Sequence, residues 1–284
     1  MTLLTATVPG HADFPIGVFD SGVGGLSVLR ALRAQLPLER FVYVSDSQYA
    51  PYGERDDAQL IARSQAIARY LRAEHHIKAL VVACNTATAA AIKLLRQDDP
   101  DLPIVGIEPA LKPAAAQSKT RRIGVMATRS TLNSEKFRTL LESLQGQASF
   151  VLQPCDGLAD AIEHHDAIKI EALCAHYTRA MGPFGAETEA IDTLVLGCTH
   201  YPFVADVLRT QVGPCVTFLE GGAPVALQTR RLLAQSGDLT DAPVQINRTR
   251  EDLQFLTTGQ PQTLATAVQH WLQRGVAVSS VNIA

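Results

Sequence analysis

The sequence predicts an α/β protein built on mainly parallel sheets, and three observations carry that expectation. Short apolar runs of strand length alternate with helical patterns through nearly all of the 284 residues, as βαβ units require. Two of these runs open alike, as Ile16-Gly17-Val18 and Ile123-Gly124-Val125. Two others end alike, in a cysteine and two polar residues just before the next helical pattern: Cys84-Asn85-Thr86 and Cys198-Thr199-His200.

Taken in order, Ile16-Gly17-Val18-Phe19 reads as the first strand, followed by a glycine-rich turn and a helix over 26–36 stopped by Pro37. A second strand over 41–44 leads to a helix over 58–74, with apolar residues at Ile61, Ala68 and Leu71 on one face. The strand 79–83, an alanine-rich helix over 87–96 and a strand over 103–107 follow. After Glu108-Pro109 the pattern restarts with Ile123-Gly124-Val125-Met126, a loop of small residues from Ala127 to Thr131, and a helix. The strand ending in Gly197-Cys198 precedes Pro202, placed to open the next helix. A strand over 216–219, helices over 223–234 and 262–273, and a strand over 253–256 complete the chain. Periodicity leaves open whether this last part extends a second lobe or returns to a first.

From Ile16 to Cys84 the chain covers 68 residues, and from Ile123 to Cys198 it covers 75. An internal duplication accounts for both intervals; chance recurrence of a common strand is the competing account. Duplication predicts two pseudo-twofold lobes, each with a cysteine at the carboxyl end of a strand, the edge where open α/β sheets bind ligands. The cysteines would then face one another across a cleft.

Composition narrows the classes. Net charge is −3 and the only dense basic cluster is Lys119-Thr120-Arg121-Arg122, which suits the solvated start of a strand better than a nucleic-acid footprint. No apolar run approaches the ~20 residues that span a bilayer. The first fifteen residues lack a charged n-region and a compact apolar segment, so they read as a loose tail and not a signal peptide. Five cysteines without a CxxC pair fit neither a disulfide framework nor structural zinc. A cytoplasmic location follows from the reduced thiols. A mononuclear metal on Cys198, His200 and a distant ligand is the lesser reading.

Asp20-Ser21-Gly22-Val23-Gly24-Gly25 stands where a dinucleotide fingerprint would, and Asp46 where its ribose-binding acid would. The third glycine position is Ser27, however, and Asp20 would oppose a pyrophosphate at the helix end. A tight turn is the simpler reading, and its acid and hydroxyl are well placed to hold an ammonium group or to assist a base.

A thiol of ordinary pKa is only about 3% ionised at pH 7, and bringing it to neutrality costs roughly 2 kcal/mol. A helix N-terminus plus donors such as Thr86, Thr199 or His200 could supply that without a metal. Two matched thiols suggest a two-base reaction, of which stereoinversion at a carbon acid is the clearest case. Cys155, Cys174 and Cys215 lack such surroundings, and Cys174 reads as core. Glu163, His164 and His165 read as a solvated helix face, and Tyr49-Ala50-Pro51-Tyr52-Gly53 as an aromatic loop over the cleft.

Together these segments resemble the cofactor-independent aspartate/glutamate racemase superfamily. The resemblance rests on Phe19–Gly25, Pro51-Tyr52-Gly53, Ala83-Cys84-Asn85-Thr86-Ala87, Gly197-Cys198-Thr199-His200-Tyr201-Pro202 and Thr257-Thr258-Gly259. The Asp-Ser-Gly opening and Cys-Thr-His-Tyr-Pro favour its glutamate racemases over the aspartate and hydantoin enzymes.

The resemblance implies two flavodoxin-like lobes, 1–108 with 218–284 and 109–217, and an active site between them. It implies L- and D-glutamate as substrates and D-glutamate supply for peptidoglycan synthesis. It implies no cofactor, metal, nucleic-acid or membrane partner, and it is compatible with a homodimer. Cys84 and Cys198 become the catalytic pair, assisted by Asp20 and His200, with Glu163 as an acidic helper. Substrate contacts fall on Asp20, Ser21, Tyr52, Gly53, Asn85, Thr86, Thr199 and His200. Two stretches depart from the family pattern: Cys155-Asp156-Gly157-Leu158-Ala159-Asp160 replaces a more apolar, proline-containing run, and Glu220-Gly221-Gly222 stands for Asp-Ser-Gly. Rival readings are a racemase for aspartate or a related amino acid, a bilobal amino-acid-binding protein, which would have no use for paired cysteines, and a nicotinamide oxidoreductase.

Overall fold

The computed structural model describes residues 11–240 and 252–284. Most of the tail expected over the first fifteen residues therefore lies outside the described residues, and 11–13 form one 3-10 turn. Among the described residues, ten strands fall into two all-parallel sheets. The first holds β1 (Ile16–Asp20), β2 (Phe41–Ser45), β3 (Ala79–Val82), β4 (Ile104–Gly106), β9 (Leu253–Thr257) and β10 (Val278–Ser280), in the order β10-β9-β2-β1-β3-β4. The second holds β5 (Arg122–Ala127), β6 (Ser149–Pro154), β7 (Thr193–Leu196) and β8 (Thr217–Glu220), in the order β6-β5-β7-β8.

The first four strands of each half repeat one order, 2-1-3-4 and 6-5-7-8, the run that opens a flavodoxin-like sheet. The two Ile-Gly-Val segments occupy equivalent central strands: Gly17 stands beside Leu80 of β3, and Gly124 beside Leu194 of β7. The recurrence that suggested duplication is thus a recurrence of topology.

Helices cover both faces, which is why β1, β2, β3 and β7 are buried along their whole length and read as continuous apolar runs instead of alternating ones. Around the first sheet lie α1 (Leu26–Gln35), α2 (Asp57–His75) and α3 (Asn85–Asp98). The second part of the chain adds α4 (Leu111–Gln117), α5 (Arg129–Asn133), α6 (Glu135–Glu142), α7 (Leu158–Glu163), α8 (Ala167–Met181) and α9 (Ala205–Val212). The last two are α10 (Gly222–Ser236), which packs on α1, and α11 (Pro261–Leu272). Local chemistry fixes several starts: Asp56, Ser134 and Asp166 accept the N–H of Gln59, Phe137 and Lys169 to cap α2, α6 and α8, satisfying donors the helices leave open.

The C-terminal part returns to the first sheet, where β9 pairs with β2 and β10 with β9. The expected lobe boundary at 217/218 needs correction, because β8 pairs with β7 along Thr217–Glu220 and belongs to the second sheet. The chain passes from the first sheet to the second after β4 and back after β8. These two crossings touch: a side chain at Gly221 would come within 2.6 Å of Ile107 Cγ1. Glu220 accepts the Gly222 N–H at 2.7 Å, at the start of α10.

Pro202 opens a 3-10 turn over Tyr201–Val204, and α9 begins only at Ala205. Among the described residues, no helix is long and apolar enough to cross a membrane.

Candidate active site

Both cysteines sit where the topology places a ligand. Cys84 follows β3 and Cys198 follows β7, each beside the central strand of its sheet, at the switch point where neighbouring connections leave in opposite directions. One cavity of about 490 Å³ is lined by Ser21, Cys84, Asn85 and Thr86 from the first sheet's loops and by Cys198, Thr199 and His200 from the second's. Tyr52, Gly53 and Glu163 line it too. Every predicted site residue except Asp20 therefore reaches the cavity.

Asp20 is fully buried and turned onto the glycine loop, where its Oδ2 accepts the Gly25 N–H at 2.7 Å. Its Oδ1 is buried without a hydrogen-bond partner. Burial raises the Asp20 carboxyl above its usual range and Glu163 adds to this, while His200 and the Gly25 N–H pull the other way.

The glycines of that loop serve close approach. A Cβ at Gly22 would lie 1.6 Å from Glu163 Oε1, and one at Gly24 would lie 2.5 Å from His200 Nδ1. Side chains of the second half fill the space a pyrophosphate would need, so the dinucleotide reading fails on sterics. Tyr43 closes the other side of the loop, donating its hydroxyl to the Gly22 carbonyl at 2.8 Å.

On the second side a relay runs inward from the cavity wall. Cys198 Sγ lies 3.6 Å from His200 Nδ1, and His200 Nε2 lies 2.9 Å from Glu163 Oε1. Burial alone would lower the His200 pKa, but its hydrogen bonds to Cys198 and Glu163 outweigh that and hold it well above the ordinary histidine value. Burial would likewise raise Glu163, but His200 and the Val23 N–H at 2.7 Å keep it below the usual range. Both shifts favour the imidazolium–carboxylate form of the pair. Glu163 is no solvated helix face, as its local pattern suggested: α7 ends on it and aims it into the site.

Cys84 corrects an expectation. It is the N-cap residue of α3, a position that favours thiolate, yet its thiol is pushed well up. Burial is the main cause and the Asp20 charge adds to it, against the Ala87 N–H and the Ser21 hydroxyl, which lies 3.8 Å from the sulfur. These surroundings favour the thiol form of Cys84.

Two features escaped the sequence reading. Cys155 lines the same cavity, where burial pushes its thiol up; the repeat logic could have found it, since it follows β6 as Asp46 follows β2. Thr128, after β5, meets Thr86 with 3.2 Å between hydroxyls and so joins the two sides of the cleft. Cys174 is core, as expected, and Cys215 is exposed.

Residues 16–225 match the Asp/Glu/Hydantoin racemase family. The chain belongs to that family. It is an isomerase of the racemase class. It is 48% identical over 238 residues to a glutamate racemase of Cupriavidus pinatubonensis, covering 83% of this chain and 85% of that protein. Its structure resembles glutamate racemase isoform RacE1 of Bacillus anthracis, with a TM-score of 0.83, 30% identity and coverage of 96% and 99%. It also resembles the Escherichia coli glutamate racemase solved with L-glutamate and the activator UDP-MurNAc-Ala, with a TM-score of 0.79, 26% identity and coverage of 95% and 99%.

Proposed function

We propose that this racemase interconverts L- and D-glutamate by a two-base reaction on Cys84 and Cys198. One observation carries the reading: two cysteines from topologically equivalent strand ends line a single cavity. The relatives named above support glutamate as the substrate.

In the L-to-D direction the Cys198 sulfur, as thiolate, takes the α-proton. The Cys84 thiol then returns a proton to the other face of the planar carbanion. His200, charged through its pairing with Glu163, offers the Cys198 sulfur a positive neighbour. In the D-to-L direction Cys84 must lose its proton first, and Asp20 Oδ1 is the unclaimed acceptor beside it. In this reading Asp20, which is not among the residues lining the cavity, acts behind Cys84.

Ser21, Asn85, Thr86 and Thr199 supply side-chain donors to the substrate's polar groups. Tyr52 and Gly53 open a 3-10 turn, whose first N–H groups have no partner within it and suit a carboxylate. The D-glutamate formed would feed peptidoglycan synthesis in the cytoplasm, as the family resemblance implies.

The test is incubation with L-glutamate in deuterated water, with no cofactor added. Deuterium at Cα together with growth of the D-enantiomer supports the reading. Binding of glutamate without exchange points to a binding protein, and turnover of aspartate alone moves the substrate.

A further inference from the structure

Asp46 and the Thr257-Thr258-Gly259 segment play no part in the proton transfers, yet the structure joins them. Asp46 is fully buried, and four donors saturate its carboxylate. The Tyr52 hydroxyl donates at 2.5 Å, Arg63 Nη2 and Nε at 2.8 and 3.1 Å, and the Thr258 hydroxyl at 3.0 Å. Arg63 reaches over from α2, donates through Nη1 to the Ile283 carbonyl at 2.6 Å, and lies 3.9 Å from the centre of the Tyr49 ring.

A second set of ties holds the same loop. The Thr258 hydroxyl accepts the Gln48 N–H at 3.2 Å, and the Ser47 and Thr257 hydroxyls are 2.9 Å apart. A side chain at Gly259 would come within 2.5 Å of Ser47 Oγ. All these contacts converge on residues 46–53, a wall of the cavity whose Gly53 packs against Thr128, with a side chain there 3.4 Å from Thr128 Cβ.

A buried ion pair is poor value for stability alone, because the desolvation of both charges offsets their attraction. What this one does is fix direction. The planar Arg63 fork grips Asp46 through two nitrogens, and Asp46 in turn holds the Tyr52 hydroxyl away from the cavity. The wall is left to present main chain to a ligand.

We propose that Asp46 and Arg63 are positioning residues, a brace that holds the Tyr52–Gly53 main chain where a substrate carboxylate must dock. The use of that wall by glutamate rests on the function proposed above; the brace itself does not.

The test compares Tyr52→Phe, Arg63→Lys and Asp46→Asn with the parent by two readouts. Amide hydrogen exchange over residues 47–55, measured without substrate, reads the brace directly. KM and kcat in both directions read its effect on docking. Tyr52→Phe removes one hydroxyl, so its fold survives even where Asp46→Asn does not. In Tyr52→Phe and Arg63→Lys, exchange in this segment should quicken about tenfold, and KM should rise about tenfold in both directions, equivalent to about 1.4 kcal/mol, while kcat moves by less than about threefold.

Unchanged exchange in both variants overturns the brace. Faster exchange with KM unmoved makes the network structural only and overturns the positioning role, as does a loss confined to kcat. A parent protein that does not racemise glutamate sinks the substrate reading instead, and the exchange measurement still decides the brace.

Discussion

Glu163 and Val23 meet across the cleft: the Glu163 carboxylate oxygen that pairs with His200 also accepts the Val23 N–H, at 2.7 Å. One atom thereby helps raise the pKa of an imidazole in the second half and fixes the loop that carries Asp20 in the first. Substitutions at this point should read out in chemistry as well as in shape.

Glu163→Gln keeps the volume and removes the charge. Glu163 is among the groups that raise His200, so its loss lowers the histidine's pKa and the imidazolium disappears at lower pH. The alkaline limb of the kcat profile should move to lower pH, with kcat near neutrality falling about 10- to 100-fold, within the range of a single acid–base group. A profile that keeps its alkaline limb in place contradicts the relay.

Gly22→Ala tests the same contact from the other side. Its Cβ would overlap Glu163 Oε1 at 1.6 Å, so the carboxylate must swing off His200. Activity should drop about as far as in Glu163→Gln, and the double variant should be little worse than either single one, as expected for coupled neighbours. Additive losses would mean that Gly22 acts elsewhere.

Cys84→Ala and Cys198→Ala should each abolish racemisation, by at least about 10³-fold, with an unchanged circular dichroism spectrum. Alkylation offers a check without activity. Cys215 is exposed and should label first, indifferent to glutamate. Cys84 and Cys198 should label more slowly and be protected by glutamate. Cys174, buried in the core with its thiol pushed up to about 12, should label only on unfolding.

His200→Asn should slow turnover from L-glutamate more than from D-glutamate, and Asp20→Asn the reverse. The enantiomers have equal free energy, so kcat/KM for the two directions stays equal in every variant. The bias must appear in kcat and KM separately or in primary isotope effects. Identical isotope effects in both directions for both variants would remove the helper roles and leave the two cysteines in place.

Lys78 and Glu39 form an ion pair at 2.6 Å, with side chains 0% and 2% exposed, at the amino-terminal ends of β3 and β2, the end of the sheet away from Cys84. Lys78→Met leaves the Glu39 charge buried and should cost about 3–5 kcal/mol, read as a lower midpoint in urea. Adding Glu39→Leu should recover part of that loss; no recovery would show that the backbone contacts of Lys78, and not the pairing, carry the cost.

The strands were legible in the sequence because two covered sheets make continuous apolar runs, and the switch-point cysteines because they end such runs. β6, Ser149–Pro154, was not. It is an edge strand of the second sheet, only partly buried along its length, marked by just the three apolar residues Phe150-Val151-Leu152, and without that strand Cys155 reads as lacking catalytic surroundings. Glu163 looked solvated because its partners are 37 and 140 residues away, beyond any local pattern. The thiolate expected at Cys84 failed for a related reason. The helix start is visible in the sequence, whereas the burial and the Asp20 charge that outweigh it arise from tertiary packing, which brings residues 64 apart in the chain together at the ends of neighbouring strands β1 and β3.

The double crossing between the sheets bears on how the cleft can open. A single tether would let the halves swivel as on a ball joint. Two tethers in contact, at Ile107 and Gly221, define an axle instead. Any motion about such an axle would be a hinge-like swing with one degree of freedom, each closure retracing the last. The two-cysteine reaction proposed above would draw on that: two sulfurs on separate sheets, brought back to the same registration at every turnover.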